Sequence, residues 1–149
     1  MPINQDLPLG PVPMPGGDNI AFAKVDVAIV AWLIALGFQS VGSDGPDKAR
    51  SWPHIMVTKL PTGTSSLYED SSIVDVEVFH PDYNAAADAS GVVHFWLTDP
   101  VKGLRDNEVN GQKVDDVRGP TPGYQDYEDP QLKRFMSSYR VDSRPINPL

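Results

Sequence analysis

Cysteine is absent from the 149 residues. Thiol nucleophiles, thiolate metal sites, redox pairs and disulfides are therefore excluded, and cysteine usage leaves the compartment open. Basic residues are scarce, with 12 Lys and Arg against 20 Asp and Glu, a net charge of −8. Such a chain repels phosphate backbones as a whole and has no broad basic face for nucleic acid or anionic lipid. Long hydrophobic runs are also missing. The most apolar stretch, residues 27–36, falls well short of the ~20 residues that span a bilayer, so no membrane association is expected. Residues 1–17 contain no Lys or Arg and are interrupted by Pro2, Pro8, Pro11, Pro13 and Pro15. They lack the charged and helical parts of a signal peptide, and synthesis in the cytoplasm is the expectation. The glycines form neither G-x-G-x-x-G nor a P-loop, and no serine sits in a G-x-S-x-G elbow.

What is abundant is proline, 15 residues alongside 12 Gly in a chain that is 40% hydrophobic. That proline share is about twice the usual ~5%, yet the apolar content suits one folded core. The length agrees with a single domain. Residues 1–17 read as a proline-rich extended arm, because each proline fixes φ and removes a backbone donor. Leu9, Val12 and Met14 give that arm apolar side chains that a solvated tail does not need. Residues 18–144 read as one domain and 145–149 as a C-terminal tail.

Within the domain, Asp18 or Asn19 can cap a helix over 20–36 with Gly37 just past its end. Phe22, Val25, Ile29, Trp32, Leu33 and Leu36 form one stripe at helical spacing, while Val27, Val30 and Ile34 line the opposite side. One sheet cannot cover both, so the arm or another subunit is expected on the second stripe. A polar loop over 40–52 leads to a strand over 54–60 that Pro61-Thr62-Gly63 ends. A strand over 73–80 alternates Val74, Val76 and Val78 against Asp75, Glu77 and Phe79, which predicts one wet face. Asp82 can cap a second helix over 83–99, with Tyr83, Ala86, Ala87, Ser90, Val93 and Leu97 on its inner face and Pro100 at its end. A short strand over 112–118, a proline- and glycine-rich link and a strand over 132–144 complete the pattern. The order predicts an α+β fold with two helices on one face of a small, largely antiparallel sheet and extended terminal arms.

The candidate chemistry is thin. His54, His80 and Asp82 could approach one another across a hairpin, but no His pair has the i, i+4 spacing of a helical zinc site. No catalytic residue, metal or cofactor is assigned. The acidic pair Asp115-Asp116 and the run Asp126, Glu128, Asp129 read as solvated or lumen-facing edges. Lys133, Arg134, Arg140 and Arg144, interleaved with Phe135 and Tyr139, read as pairing with the Asp126–Asp129 stretch of a neighbouring copy, since the overall field is negative. Phe135, Tyr139 and Arg140 are accordingly expected at a sheet edge or subunit contact, together with Leu9, Val12, Met14, Val27, Val30 and Ile34.

Over residues 20–144 the chain resembles the tail terminator proteins of long-tailed bacteriophages, the siphophage type with actinobacterial hosts in particular. The resemblance lies in the order of several segments: the first helix ending at Gly37-Phe38, Pro53-His54-Ile55-Met56-Val57, and Ile73-Val74-Asp75-Val76-Glu77-Val78-Phe79. It continues through the Ala-rich second helix, Pro120-x-Pro122, Asp129-Pro130, Arg134-Phe135 and Tyr139-Arg140-Val141. It implies a non-enzymatic virion subunit that forms a hexameric ring at the head-proximal end of the tail tube and stops tube polymerisation. Its implied partners are further copies of itself, the tail tube protein and the head-completion or connector protein, with DNA crossing the lumen without specific binding. A head-completion (stopper) protein and a tail tube subunit are the nearest alternatives, and a small metal-dependent hydrolase using His54, His80 and Asp82 a more distant one.

Overall fold

The computed structural model of the chain describes residues 24–65 and 70–146. Helix α1 (Val25–Ala35) buries Val25, Ala28, Ile29 and Leu33, the i, i+4, i+8 spacing that stacks side chains on one face. The helix starts after Lys24, which makes no side-chain cap; Asp18, Asn19, Ile20 and Phe22, expected to begin it, lie outside the described residues. Its end is as the sequence indicates. Gly37 has φ +109°, a region open to glycine because it has no Cβ, and the chain reverses there with Gly37 N–H on the Ile34 carbonyl and Phe38 N–H on that of Leu33.

Helix α2 (Tyr83–Thr98) is capped by Asp82, whose carboxylate accepts from Ala85 N–H at 2.9 Å. Its small inner residues Ala86 and Ser90, with Val93 and Leu97, are buried and let the helix lie close to the sheet. The indole N–H of Trp32 in α1 donates to the Trp96 carbonyl of α2 at 2.9 Å, which fixes the helices side by side.

Among the described residues the strands are β1 (Ser40–Gly42), β2 (His54–Ser65), β3 (Asp70–His80), β4 (Glu108–Val109), β5 (Gln112–Arg118), β6 (Gly123–Gln125) and β7 (Lys133–Pro145). They form a sheet of order β1-β2-β3-β7-β5-β4, with β6 beside the first part of β7. Only β1 runs parallel to its partner, β2; the other pairs are antiparallel. The fold is thus α+β, with both helices on one face.

Strand alternation sets that face. Ile55 and Val57 of β2, Val74, Val76 and Val78 of β3, Tyr139 and Val141 of β7, and Val114 and Val117 of β5 form one core with Val25, Ile29, Leu33, Val93 and Leu97 from the helices. Burying each Val or Leu contributes about 1.5–3 kcal/mol, which is why no disulfide is needed.

Several expectations need correction. β2 does not stop at Pro61 but continues to Ser65 with a register shift between Lys59 and Gly63. Pro61 is tolerated there because β1 pairs only with residues 54–56 and leaves β2 at the sheet edge beyond them. The loop over 40–52 contains β1 and a 3-10 turn, and the link before β7 contains β6. β7 reaches Pro145, which pairs with Gln112, so residues 145 and 146 belong to the domain rather than to a tail. The second face of β3 is not uniformly wet, since Glu77 and Phe79 are both buried.

Candidate functional site

Among the described residues, three surfaces stand out once the core is closed. The first is the outer side of the helical layer. Val27 is 45% and Ile34 51% exposed, Val30 lies half-buried beside them, and Val92 and Phe95 stand out from α2. A run that is apolar all round, as α1 is, leaves such a stripe when only one side meets a sheet.

The second is the sheet face opposite the helices. There Arg118 and Asp116 of β5 stand directly across from Arg140 and Asp142 of β7. Like charges face each other across the strands and opposite charges neighbour along them. The square is held by Arg118–Asp116 at 3.1 Å, Arg118–Asp142 at 3.7 Å and Arg140–Asp142 at 3.6 Å, with Arg144–Asp115 at 3.3 Å beside it. Exposed pairs of this kind contribute about 0–1 kcal/mol each, so they shape the surface more than they hold the fold.

The third surface is a cleft of about 500 Å³ at one end of that face, lined by Pro46, Trp52, Pro81, Tyr127 and Leu132 with Asp47, Glu128 and Asp129 among its polar residues. Tyr127 is held edge-on against Phe79, ring centroids 4.9 Å apart, and under the Arg134 guanidinium at 5.4 Å. Arg134 also donates to Glu77 Oε1 at 3.0 Å and to the Asp126 carbonyl at 2.8 Å, anchoring the loop that carries Tyr127. Burial raises the Glu77 carboxyl above its ordinary range and Arg134 opposes the shift. The Tyr127 hydroxyl is raised by desolvation and then by the neighbouring Glu128, Asp47 and Glu77 charges, so it stays a hydrogen-bond donor.

The histidines are taken up inside the chain. His54 Nε2 donates to the Asp44 carbonyl at 2.8 Å and its Nδ1 lies 2.7 Å from the Ser40 hydroxyl. His80 Nδ1 accepts from Asp82 N–H at 2.9 Å. His94 Nδ1 faces the Tyr139 hydroxyl. Among the described residues no group of three or more His, Asp or Glu side chains converges as a metal site, and no helix is long and apolar enough to cross a membrane.

The expected contact residues divide. Val27, Ile34 and Arg140 are exposed, whereas Leu9, Val12 and Met14 lie outside the described residues. Phe135 and Tyr139 are core rather than edge: β7 is an inner strand, Tyr139 is 1% exposed, and Phe135 is 8% exposed and enclosed by Tyr83 and Tyr124. The basic residues around them have partners within their own chain, Lys133 on the Pro130 carbonyl included. Asp115 and Asp116 are arginine-paired, and Asp126, Glu128 and Asp129 stand exposed in a loop. Sequence reading misses Trp52 and Tyr127. The signal was an aromatic before Pro53 and another inside a run read only for its acids.

A chain of the virion of native gene transfer agent (GTA) particle superposes with a TM-score of 0.59, over 80% of this chain and 94% of that one, at 12% sequence identity. The two chains share a fold. The coverage takes in nearly all of that chain, so the likeness is to a whole subunit and not to a shared supersecondary piece. No protein-family profile matches the sequence, and no curated protein matches it.

Proposed function

We propose that this chain is a structural virion protein, a ring subunit at the head-proximal end of a phage tail tube that ends tube polymerisation and joins the tail to the head connector. The observation that carries the reading is the shared fold with a virion chain over 94% of that chain's length. The ordered segments that resemble tail terminators of siphophages with actinobacterial hosts supply the finer assignment. The surfaces suit it. A ring built from head-to-tail contacts needs two different faces on each subunit, and this one has an apolar helical side and, on the sheet side, a cleft lined by Pro46, Trp52, Pro81 and Leu132. Neighbouring copies, six in the closed ring, cover Val27 and Ile34. The tube protein and the connector protein meet the ring's two ends.

Electron microscopy of particles made without this protein tests the reading. Abnormally long, headless tails are expected. Normal-length tails that fail to join heads would instead favour a head-completion protein, absence of tube would favour a tube subunit, and normal particles would overturn all three.

A further inference from the structure

The cleft beside Trp52 has the chemistry of a polyproline groove. Its walls are two aromatic rings, Trp52 and Tyr127, set among Pro46, Pro81 and Leu132. Trp52 is 41% exposed. Neither its indole N–H nor the Tyr127 hydroxyl has a hydrogen-bond partner among the described residues. A polyproline II segment has no internal hydrogen bonds, so its carbonyls look for such donors, and its proline rings stack on aromatic faces. The carboxylates Asp47, Glu128 and Asp129 at the cleft disfavour phosphate or carboxylate ligands and call for an occupant without negative charge.

The chain contains such an occupant. Residues 8–15 read Pro-Leu-Gly-Pro-Val-Pro-Met-Pro, with four prolines, three apolar side chains and no charge. Prolines at 8 and 11 have the P-x-x-P spacing that puts two rings on one side of a three-residue turn. We propose that the Trp52–Tyr127 cleft of each subunit receives residues 8–15 of a neighbouring copy.

Residues 8–15 precede α1, which packs on the helix-covered face, whereas Tyr127 rests on Phe79 and Arg134 of the opposite face. A head-to-tail ring brings the helix side of one subunit to the sheet side of the next, and an arm from the first then meets the cleft of the second. The inference rests on the ring reading in needing adjacent copies.

The test uses the full chain with a benzophenone side chain placed at Val12. Isotopically heavy and normal copies are mixed, assembled and irradiated. Cross-links joining residue 12 of one isotope form to residues 46–53 or 127–132 of the other are expected. Their yield should fall about tenfold in Trp52→Ala, and several-fold in Tyr127→Phe, which removes only the hydroxyl. Links confined to one isotope form, links to other surfaces, or no links overturn the inference. Native mass spectrometry of the same samples separates the two readings, since a ring without these links sinks this inference alone, and a chain that never oligomerises sinks the ring as well.

Discussion

The Tyr139 hydroxyl lies 2.8 Å from Nδ1 of His94, joining β7 to α2 across the core. Burial pushes the Tyr139 hydroxyl up to about 12, so it keeps its proton and is able to donate. In the tautomer with its proton on Nε2, the His94 ring accepts that bond at Nδ1.

Desolvation lowers His94 below its ordinary 6.5. As pH falls, the unfolded chain takes up this proton first. The stability tied to His94 is therefore full above the unfolded value and is lost as pH drops through the folded one. Urea unfolding between about pH 7.5 and 5.5 should show a decline that is shallower in His94→Gln. Parallel profiles for the two proteins would remove His94 as the cause.

At Gly119 an added Cβ would meet the Ser138 carbonyl oxygen and Tyr139 Cδ1, both at 2.6 Å. The obstruction is backbone and a buried ring, so neither can swing aside. Gly119→Ala should cost about 1–3 kcal/mol, read as a lower urea midpoint with a changed near-ultraviolet signal from the displaced tyrosine.

Arg134 and Glu77 are the most buried ion pair among the described residues, their side chains 22% and 10% exposed. Arg134→Met leaves the carboxylate without its partner and frees the Asp126 carbonyl, at a cost of about 2–3 kcal/mol after discounting for partial exposure. Adding Glu77→Leu should recover most of that loss in chemical denaturation, because the desolvated charge is gone. A double variant no more stable than the single one would contradict this account.

The double substitution Val27→Glu, Ile34→Glu falls on the exposed stripe of α1 and should change unfolding free energy by no more than about 0.5 kcal/mol. Its effect belongs to assembly. On the proposed ring assembly, native mass spectrometry should find monomers for this variant, and unchanged rings would show that this stripe is not a subunit contact.

Much of the fold is legible in the residues themselves. Residues 112–118 read as a strand and form β5 with those bounds, and Asp82 caps α2 where its spacing to Ala85 allows. Short strands are not legible in this way. Ser40–Gly42 is too brief to show a period of two and is a strand only because β2 offers it an edge. Gly123–Gln125 is likewise drawn in by the open flank of β7. The contact surfaces are harder still. Phe135 and Tyr139 alternate with polar residues whether a helix or a neighbouring subunit covers them, and only the third dimension supplies α2 as the cover. The acids at 126, 128 and 129 conceal the tyrosine between them, whose part depends on Phe79 and Arg134 far away in sequence.

β7 has β3 on one flank and both β5 and β6 on the other. All three are synthesised before it. On the ribosome the β2–β3 hairpin and the β4–β5 pair are two unjoined pieces until residues 133–145 have emerged, since no earlier strand bridges them. Such late, long-range closure is slow and leaves both half-sheets exposed in the meantime. Timing then governs when any surface of the sheet becomes available: a nascent chain has no finished sheet side before translation has passed Pro145.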